Sequence, residues 1–546
     1  ASVEGGSGCV AVLSGEPRDF FAMAATRLRG VEPAHSVAGH SWSERMISHS
    51  GTMEPARFGV GHARVEESVA VGGEIALSVE ALLTHQAPID AVVYAEGKAP
   101  GAEDFESLGE TVELRGVPGP VVGIVARLTA SPGEDGGFRL HVHGRDAFWN
   151  PAEPSIPAEH LEIETLGEGR FENGCLIPEG EEPVRLVVRD RRNGFTSWTN
   201  PTRRADFDGR RVFFGEFHWH SRYADGDREP EAGYAYARDT LGLDFCAVTN
   251  HSPKGIWEAT GQLNEAWNEP GRFSTIPAWE WSTRFGHANI YLRAPDVPAG
   301  PERLAEADHP GKADWPEDAV VIPHHTNIRA AEIRPDGETA WFEYNWSLPN
   351  KRVRLVELLQ TRGNFEADTL DGDWGVITSG IGASVRDALA MGYRVGFTGG
   401  TDNHTGFPSR DSVMGQSYVG LTGILAEANE REALWRAMDA RRTYATSGVP
   451  ILARWTVNGM EMGEEGAYQG GGVRFSATLH GTAPIERIEV IADGEVVWRA
   501  HPGTFDVAFT DEDLPVPAED KSKYYYLRLR QFDGHRAWLS PVWLDA

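Results

Sequence analysis

F-F-G-E-F-H-W-H-S-R-Y-A-D-G-D, residues 213–227, is the stretch from which the rest of the chain is best understood. Val212–Phe217 has the apolar run of a buried strand. His218 and His220 lie two apart, so an extended chain points both imidazoles to one face. Asp225 follows in a Gly-containing loop able to fold back over the strand end. Neutral imidazole and carboxylate are side chains that bind divalent transition metals. An H-x-H pair alone is weak evidence, and what strengthens it lies downstream.

From about residue 206 to 450, strand-like runs alternate with helix-like segments. The expected strands are Val212–Phe217, Phe245–Thr249, Ser274–Trp279, Ala288–Leu292, Val320–Pro323, Leu355–Leu359 and Val395–Thr398, and the expected helices include Glu229–Leu241, Ser384–Met391 and Glu427–Ala440. Such alternation implies βαβ units in a parallel sheet or barrel. The strand ends carry the polar residues. After the first come His218 and His220, after the second His251, after the third Glu280, and at the start of the fourth His287. The fifth ends in His324 and His325, and the last leads into Asp402 and His404, again two apart. Seven of the 19 histidines thus fall at strand ends with carboxylates interspersed. In a parallel barrel those ends open on one face, where active sites sit. Core packing accounts for one or two such placements, so the pattern predicts a multinuclear metal site.

Both flanks have a β texture. Residues 1–205 hold short runs at Ala76–Leu83, Ala91–Tyr94, Val121–Leu128, Phe138–His143 and Val184–Val188 between Gly/Pro turns, which predicts an N-terminal β-rich domain. It contains a second H-x-H, His141 and His143, with no carboxylate or histidine cluster at useful spacing, so we expect it to be inert. Residues 451–546 read as a C-terminal β-sandwich-like domain with strands at Arg474–Leu479, Ile488–Ala492, Glu495–Trp498, Tyr524–Phe532 and Ala537–Trp543.

The 546 residues suffice for two to four domains with sizeable cores. A net charge of −30 argues against nucleic acid or an anionic membrane surface as partner. No apolar run reaches the length of a membrane span, and Ala1–Gly8 shows neither a basic nor an apolar leader region, so we expect a cytoplasmic protein or one whose leader has been removed. Cys9, Cys175 and Cys246 form no disulfide framework. Nucleotide-loop motifs and G-x-S-x-G are missing from the sequence. The expected partner is a small-molecule substrate, and a homo-oligomer is possible.

The ordered series H-x-H…D…H…E…H…H…D-x-H resembles the PHP (polymerase and histidinol phosphatase) superfamily of metal-dependent hydrolases. A closer likeness, to a large and mostly uncharacterised branch of it, rests on F-G-E-F-H-W-H, E-W-S with a following G-H, I-P-H-H, V-E-L-L-Q-T-R-G-N-F-E and A-R-R-T-Y-A-T-S-G. The superfamily motifs cover residues 210–450, and the branch likeness extends into R-Q-F-D-G-H-R-A-W-L-S-P-V-W at 530–543. The resemblance implies a distorted (β/α)7 barrel between the two β-rich modules and two or three divalent ions, manganese, iron or zinc. Carried over by motif, His218, His220 and Asp402 would hold one metal, with Glu280 bridging to a second completed by His287 and His324. Asp225, His251 and His404 would hold the third. Asn250 stands where a D-H pair is usual, so a supporting carboxylate is expected to be missing. Neighbours in a strand point apart, so one of His324 and His325 is expected to ligate; His324, directly after I-P, is chosen. Asp402, Glu280 and His325 are the residues expected to act in catalysis.

Close divalent ions lower the pKa of a bridging water and polarise the oxygen under attack. The resemblance implies hydrolysis, of a phosphoester first, or of a C–N or C–O bond in a small aromatic or cyclic substrate. A metal-stabilised binding scaffold is the reading from another class. Arg222, Arg284, Arg329 and Arg362 lie near motif positions and would clamp an anionic group, and Trp281 would line an aromatic pocket. Glu357 and Gln360 belong to the V-E-L-L-Q stretch, with Glu357 near the barrel mouth. The segment Glu302–Asn350 is a candidate lid.

Overall fold

The computed structural model describes residues 118–133, 135–146, 151–204, 207–224, 226, 228–251, 257–283, 286–297, 309–327, 343–361, 363–368, 374, 382–404, 406–409, 420–516 and 523–545. It also gives the backbone of strands at 7–15, 27–29, 60–68, 78–80, 89–97, 106–116, 331–333 and 339–341. In the N-terminal part, β1 (Gly123–Leu128) pairs antiparallel with β2 (Phe138–Arg145), and β3 (Arg185–Asp190) lies in a second small sheet. Alternating apolar positions bury Leu128, Phe138, Leu176, Leu186 and Val188 in one core between the two sheets. The β texture expected of this region is what its described residues show.

Strand β4 (Arg211–Glu216) is buried on both faces, as a run of Val, Phe and Gly between other strands must be. Gly215 is required there, since a Cβ would meet the Phe245 ring at 2.2 Å. A short helix, α1 (Pro230–Ala235), runs into a π-helical turn at Tyr236–Thr240 and leads to β5 (Phe245–Cys246). After α2 (Trp257–Trp267) come β6 (Ser274–Thr275), β7 (Ala278–Thr283), β8 (Gly286–Leu292) and β9 (Ala319–His324). Next are β10 (Leu355–Gln360), α3 (Val385–Ala390), β11 (Gly396–Gly399), β12 (Leu421–Ala426), α4 (Arg431–Asp439) and β13 (Thr443–Thr446). Strands β4, β5 and β6 pair in parallel, as do β10 and β11.

The regular (β/α)7 alternation expected over 206–450 is not borne out. Strands β7, β8 and β9 form an antiparallel meander, and β12 pairs antiparallel with β4. The cause is local. Only two residues separate β7 from β8, too few for a helical crossover, so the chain reverses as a hairpin. Two bridges bring separate parts together: Val321 with Val353, and Trp219 in parallel with Asn403.

The C-terminal part contains β14 (Leu452–Val457), β15 (Val473–Ala492), β16 (Thr504–Leu514), β17 (Lys523–Gln531) and β18 (Arg536–Asp545). What reads in the sequence as two strands, 474–479 and 488–492, is one bent strand, with its register shift between His480 and Ile485 around Pro484. A proline in a strand is tolerated at such an irregularity. Strand β18 pairs with β13, so one thirteen-stranded sheet runs from β4 and β12 through β13 into the C-terminal strands. Among the described residues, no helix is long and apolar enough to cross a membrane. Cys175 and Cys246 are buried free thiols.

Candidate metal centre

Beyond β4 the chain stays extended. Phe217 packs against Phe245 and Tyr291, and Trp219 against Tyr234, so the intervening His218 and His220 turn the other way. Both histidines are fully buried. His251 follows β5 and bridges to Glu280 in β7, whose backbone N–H donates to the Asn250 carbonyl at 3.0 Å. His287 opens β8 and lies opposite His324, the last residue of β9. Beyond β11 the turn at Gly400–Asp402 brings Asp402 to His218, and the Asp402 N–H donates to the His218 carbonyl at 2.6 Å. Gly400 is what permits that approach: a Cβ there would sit 2.3 Å from Glu357 Oε2 and 2.7 Å from His218 Cβ.

Glu280 is the hub. It is 1 % exposed, and its two carboxylate oxygens face different sets of residues. Oε2 lies 3.1 Å from His218 Nε2 and 3.1 Å from His220 Nε2, and Asp402 Oδ1 is 3.4 and 3.3 Å from the same nitrogens. Oε1 lies 2.9 Å from His287 Nδ1, 3.2 Å from His324 Nε2 and 3.5 Å from His251 Nδ1. Three groups have ligand atoms within 4.8 Å of one another: His218, His220, Glu280 and Asp402; His287, His324 and His325; and His220, His251 and His404. In the last group the His220 and His404 rings stack at 4.0 Å between centroids.

Supporting side chains fix these rings. Glu357 Oε2 pairs with His218 Nδ1 at 2.9 Å, and Gln360 Nε2 donates to both Glu357 Oε1 (3.1 Å) and Asp402 Oδ2 (2.9 Å). A carboxylate on the far nitrogen of an imidazole sets its tautomer and aims the near nitrogen at an ion. Ser282 Oγ lies 2.8 Å from His251 Nδ1 and donates to Glu280 Oε1 at 3.2 Å. Asn250 Oδ1 accepts from the Ser221 N–H and hydroxyl at 2.8 and 3.0 Å, so the position where a carboxylate was expected holds the backbone just after His220 through a neutral amide. Burial works against the charge on Glu280, but His251, His324, His218 and His220 outweigh it and hold the carboxyl well below its usual range. Burial likewise opposes a charged His218, and Glu357 and Asp402 overcome it, raising that imidazole well above its usual value, so an ion binding there must displace a proton. Burial pushes His324 down to about 3, so its ring is neutral and able to ligate.

Imidazole nitrogens and carboxylate oxygens in this arrangement fit divalent transition ions. The buried His324 Nδ1 has no hydrogen-bond partner, as suits a nitrogen held for an ion. His325 departs from expectation. It lies one residue past β9 with φ of 36°, which breaks the strand alternation and brings its ring within 4.7 Å of His287 and 4.4 Å of His324. Both histidines of I-P-H-H therefore converge on one group. Asp225, Arg284, Arg329 and Arg362 lie outside the described residues, as do residues 302–308, 328–330, 334–338 and 342 of the candidate lid. Arg222 is exposed, 3.9 Å from Glu229. Trp281 packs beside Trp279 and Trp315, on the side of β7 away from Glu280, and is core packing rather than a pocket wall. His141 meets the Asp239 carbonyl at 2.9 Å, and among the described residues neither it nor His143 joins a metal-binding group.

Sequence reasoning missed Glu216 and Ser282. Glu216, fully buried, accepts from the N–H groups of His218 (2.8 Å), Thr401 (3.0 Å) and Ser409 (3.1 Å), tying β4 to the loop that carries Asp402 and His404. Its signal was a lone acid inside an apolar strand, which needs internal partners.

Residues 410–473 match a family described as a protein of unknown function (DUF3604). An uncharacterised protein of Chlamydia pneumoniae is 27% identical over 367 residues, which is 61% of this chain and 57% of that protein. One from Chlamydia trachomatis is 25% identical over 455 residues, 75% of this chain and 71% of its own. The chain thus spans little more than half the length of the first of these relatives. Among solved structures, a two-domain protein from Bacteroides vulgatus, described as containing a predicted PHP-like metal-dependent phosphoesterase, is similar at a TM-score of 0.29 and 14% identity. That similarity covers 60% of this chain and 92% of the other.

Proposed function

We propose that this protein is a PHP-like metal-dependent hydrolase with a di- or trinuclear centre, acting on a phosphoester of a small molecule, and that its central strands frame the site as a distorted, strand-rich variant of the barrel the sequence resembles. The observation that carries the reading is Glu280, one buried carboxylate whose two oxygens each face a separate set of histidines. A scaffold held by a single structural ion has no need of such a bridge.

His218, His220, Asp402 and Glu280 would hold one ion, Glu280 with His287, His324 and His325 a second, and His251 and His404 would contribute to a third, with His220 giving its one neutral ring nitrogen to the first or the third. Divalent ions in these positions supply Lewis-acid polarisation of the scissile group and an acidified water. The chain's own part is to place and neutralise. Glu280 and Asp402 offset cationic charge at close range, where bare repulsion would otherwise expel one ion. Glu357 holds His218 in the tautomer that leaves Nε2 facing Glu280 and Asp402, and Gln360 locks Glu357 to Asp402. Ser282 orients His251.

The test is turnover on parallel panels of phosphomonoesters, phosphodiesters and cyclic amides, with manganese, iron or zinc added, and again after chelation. Phosphoester hydrolysis that disappears on chelation and in Glu280→Gln is expected. Turnover of amides alone would replace the substrate class. Full metal loading with no turnover on any panel would leave the scaffold reading.

A further inference from the structure

A cleft of about 450 Å³ lies where β1 and β2, the turn after β13 and the end of β17 meet, lined by Arg127, His143, Trp198, Ser409, Phe505 and His535 among others. None of its lining residues belongs to the three metal-binding groups. Its size falls within the range of small-molecule sites.

The charge in this cleft runs against that of the chain. The whole protein carries −30, yet the lining includes Arg127 and Arg145 with Asp533 as its one acid. The Asp533 carboxylate is already engaged, accepting from Gln531 Nε2 and the His535 N–H at 3.1 Å each. Arg127 is the odd residue. Its Nη2 donates to the Gly448 carbonyl at 3.1 Å, while Nη1 is buried and has no hydrogen-bond partner. No ion pair to Arg127 exists among the described residues. A buried guanidinium with no carboxylate in contact, Asp244 acting on it only from a distance, is costly and calls for an anion. Burial lowers its pKa to about 10, which leaves it charged at neutral pH. The same cleft offers an aromatic wall: Trp198, 45 % exposed, stacks on Phe505 at 5.2 Å between centroids with planes 8° apart. An exposed tryptophan backed by a stacked phenylalanine, in the same cleft as an unsatisfied cation, suits a ligand with one charged end and one flat apolar end.

We infer that this cleft is a second binding site, separate from the metal centre, for a small organic anion whose carboxylate or phosphate pairs with Arg127 and whose apolar body lies against Trp198 and Phe505. The site is close to the catalytic framework, since Ser409 in its wall donates its N–H to Glu216 Oε2 beside His218.

Isothermal titration of the metal-loaded full chain with benzoate, and separately with inorganic phosphate, tests this. Benzoate is expected to bind in the millimolar range, at least about ten-fold more weakly to Arg127→Met and to Trp198→Ala, with metal content unchanged in both variants. Inorganic phosphate, which has no flat body, should show beside its binding at the metal centre a second event that is lost in Arg127→Met and kept in Trp198→Ala. Arg127→Gln serves if the Met variant does not fold, and Trp198 is exposed enough that its removal spares the core. Equal benzoate affinity in wild type and the Arg127 variant, or no heat from benzoate at about 50 mM, would overturn the proposal.

Discussion

Replacing Arg528 by Met should lower stability by about 3–5 kcal/mol, the cost of breaking a buried ion pair from one side. Glu366 is 0 % exposed, and both of its oxygens accept from Arg528 Nη1 at 2.8 Å. Arg386 (2.7 Å), Tyr526 (2.6 Å) and Trp538 (2.8 Å) complete its shell. Arg528 also donates to Glu489, itself 1 % exposed, at 2.9 and 2.7 Å, and lies 4.1 Å over the Trp374 ring. Methionine keeps much of the volume but leaves two buried carboxylates short of a cation. Arg386 and Arg499 still reach one carboxylate each, which keeps the loss at the single-partner level rather than the sum of two. Urea unfolding of wild type, Arg528→Met, Glu366→Gln and the double variant gives the coupling directly. Because Glu366 follows closely on the strand that carries Glu357 and Gln360, the network also pins the C-terminal sheet to the back of the metal centre. A loss below about 1 kcal/mol, or additive single effects, would refute a coupled buried network.

Three further outcomes follow from particular residues. His325→Ala should reduce bound metal as His324→Ala does, because both rings face His287; unchanged metal in the first variant would restore the one-ligand expectation. Asp244, buried and accepting from Phe214 and Ser131, has its pKa raised by burial from 3.8 to about 6, so between those values the folded chain keeps a proton that the unfolded chain has lost. Its contribution to stability therefore falls as pH rises through that window, by up to about 3 kcal/mol, and comparison with Asp244→Asn should show this slope where a flat difference would contradict it. His141→Ala with His143→Ala should leave metal content and turnover unchanged while lowering stability, since His141 holds the Asp239 carbonyl; loss of a stoichiometric ion would reverse that reading.

The histidines and carboxylates that group around Glu280 were legible because most of them adjoin a short apolar run, and such runs are short-range signals. Strands Val212–Phe217 and Val320–Pro323 were expected within a residue or two of the observed Arg211–Glu216 and Ala319–His324. Topology was less legible. Whether a strand pairs parallel or antiparallel depends on the partner chosen across the fold, and the hairpin after Thr283 is set by two residues with no strong turn chemistry. Strand β12 went unread because its apolar run, Leu421–Ala426, resembles a helix segment as readily as a strand. The placement of His325 beside His324 was not legible for a local reason: alternation holds only while the strand continues, and β9 stops at His324. Glu366 was noted only as part of a motif, because all of its side-chain partners but Arg386 lie about 160 residues or more away.

The central claim is that Glu280 joins two ion sites, and metal analysis of Glu280→Gln beside His404→Ala tests it most directly. Gln keeps volume and hydrogen bonding but removes the one charge shared between the two sets of histidines. Elemental analysis of wild type purified without chelator should give two or three manganese, iron or zinc ions per chain. His404→Ala should lose mainly the ion held with His220 and His251, whereas Glu280→Gln should lose more metal and melt at a markedly lower temperature. Equal metal loss in the two variants, or wild-type protein well below one ion per chain that added metal does not restore, would contradict the account.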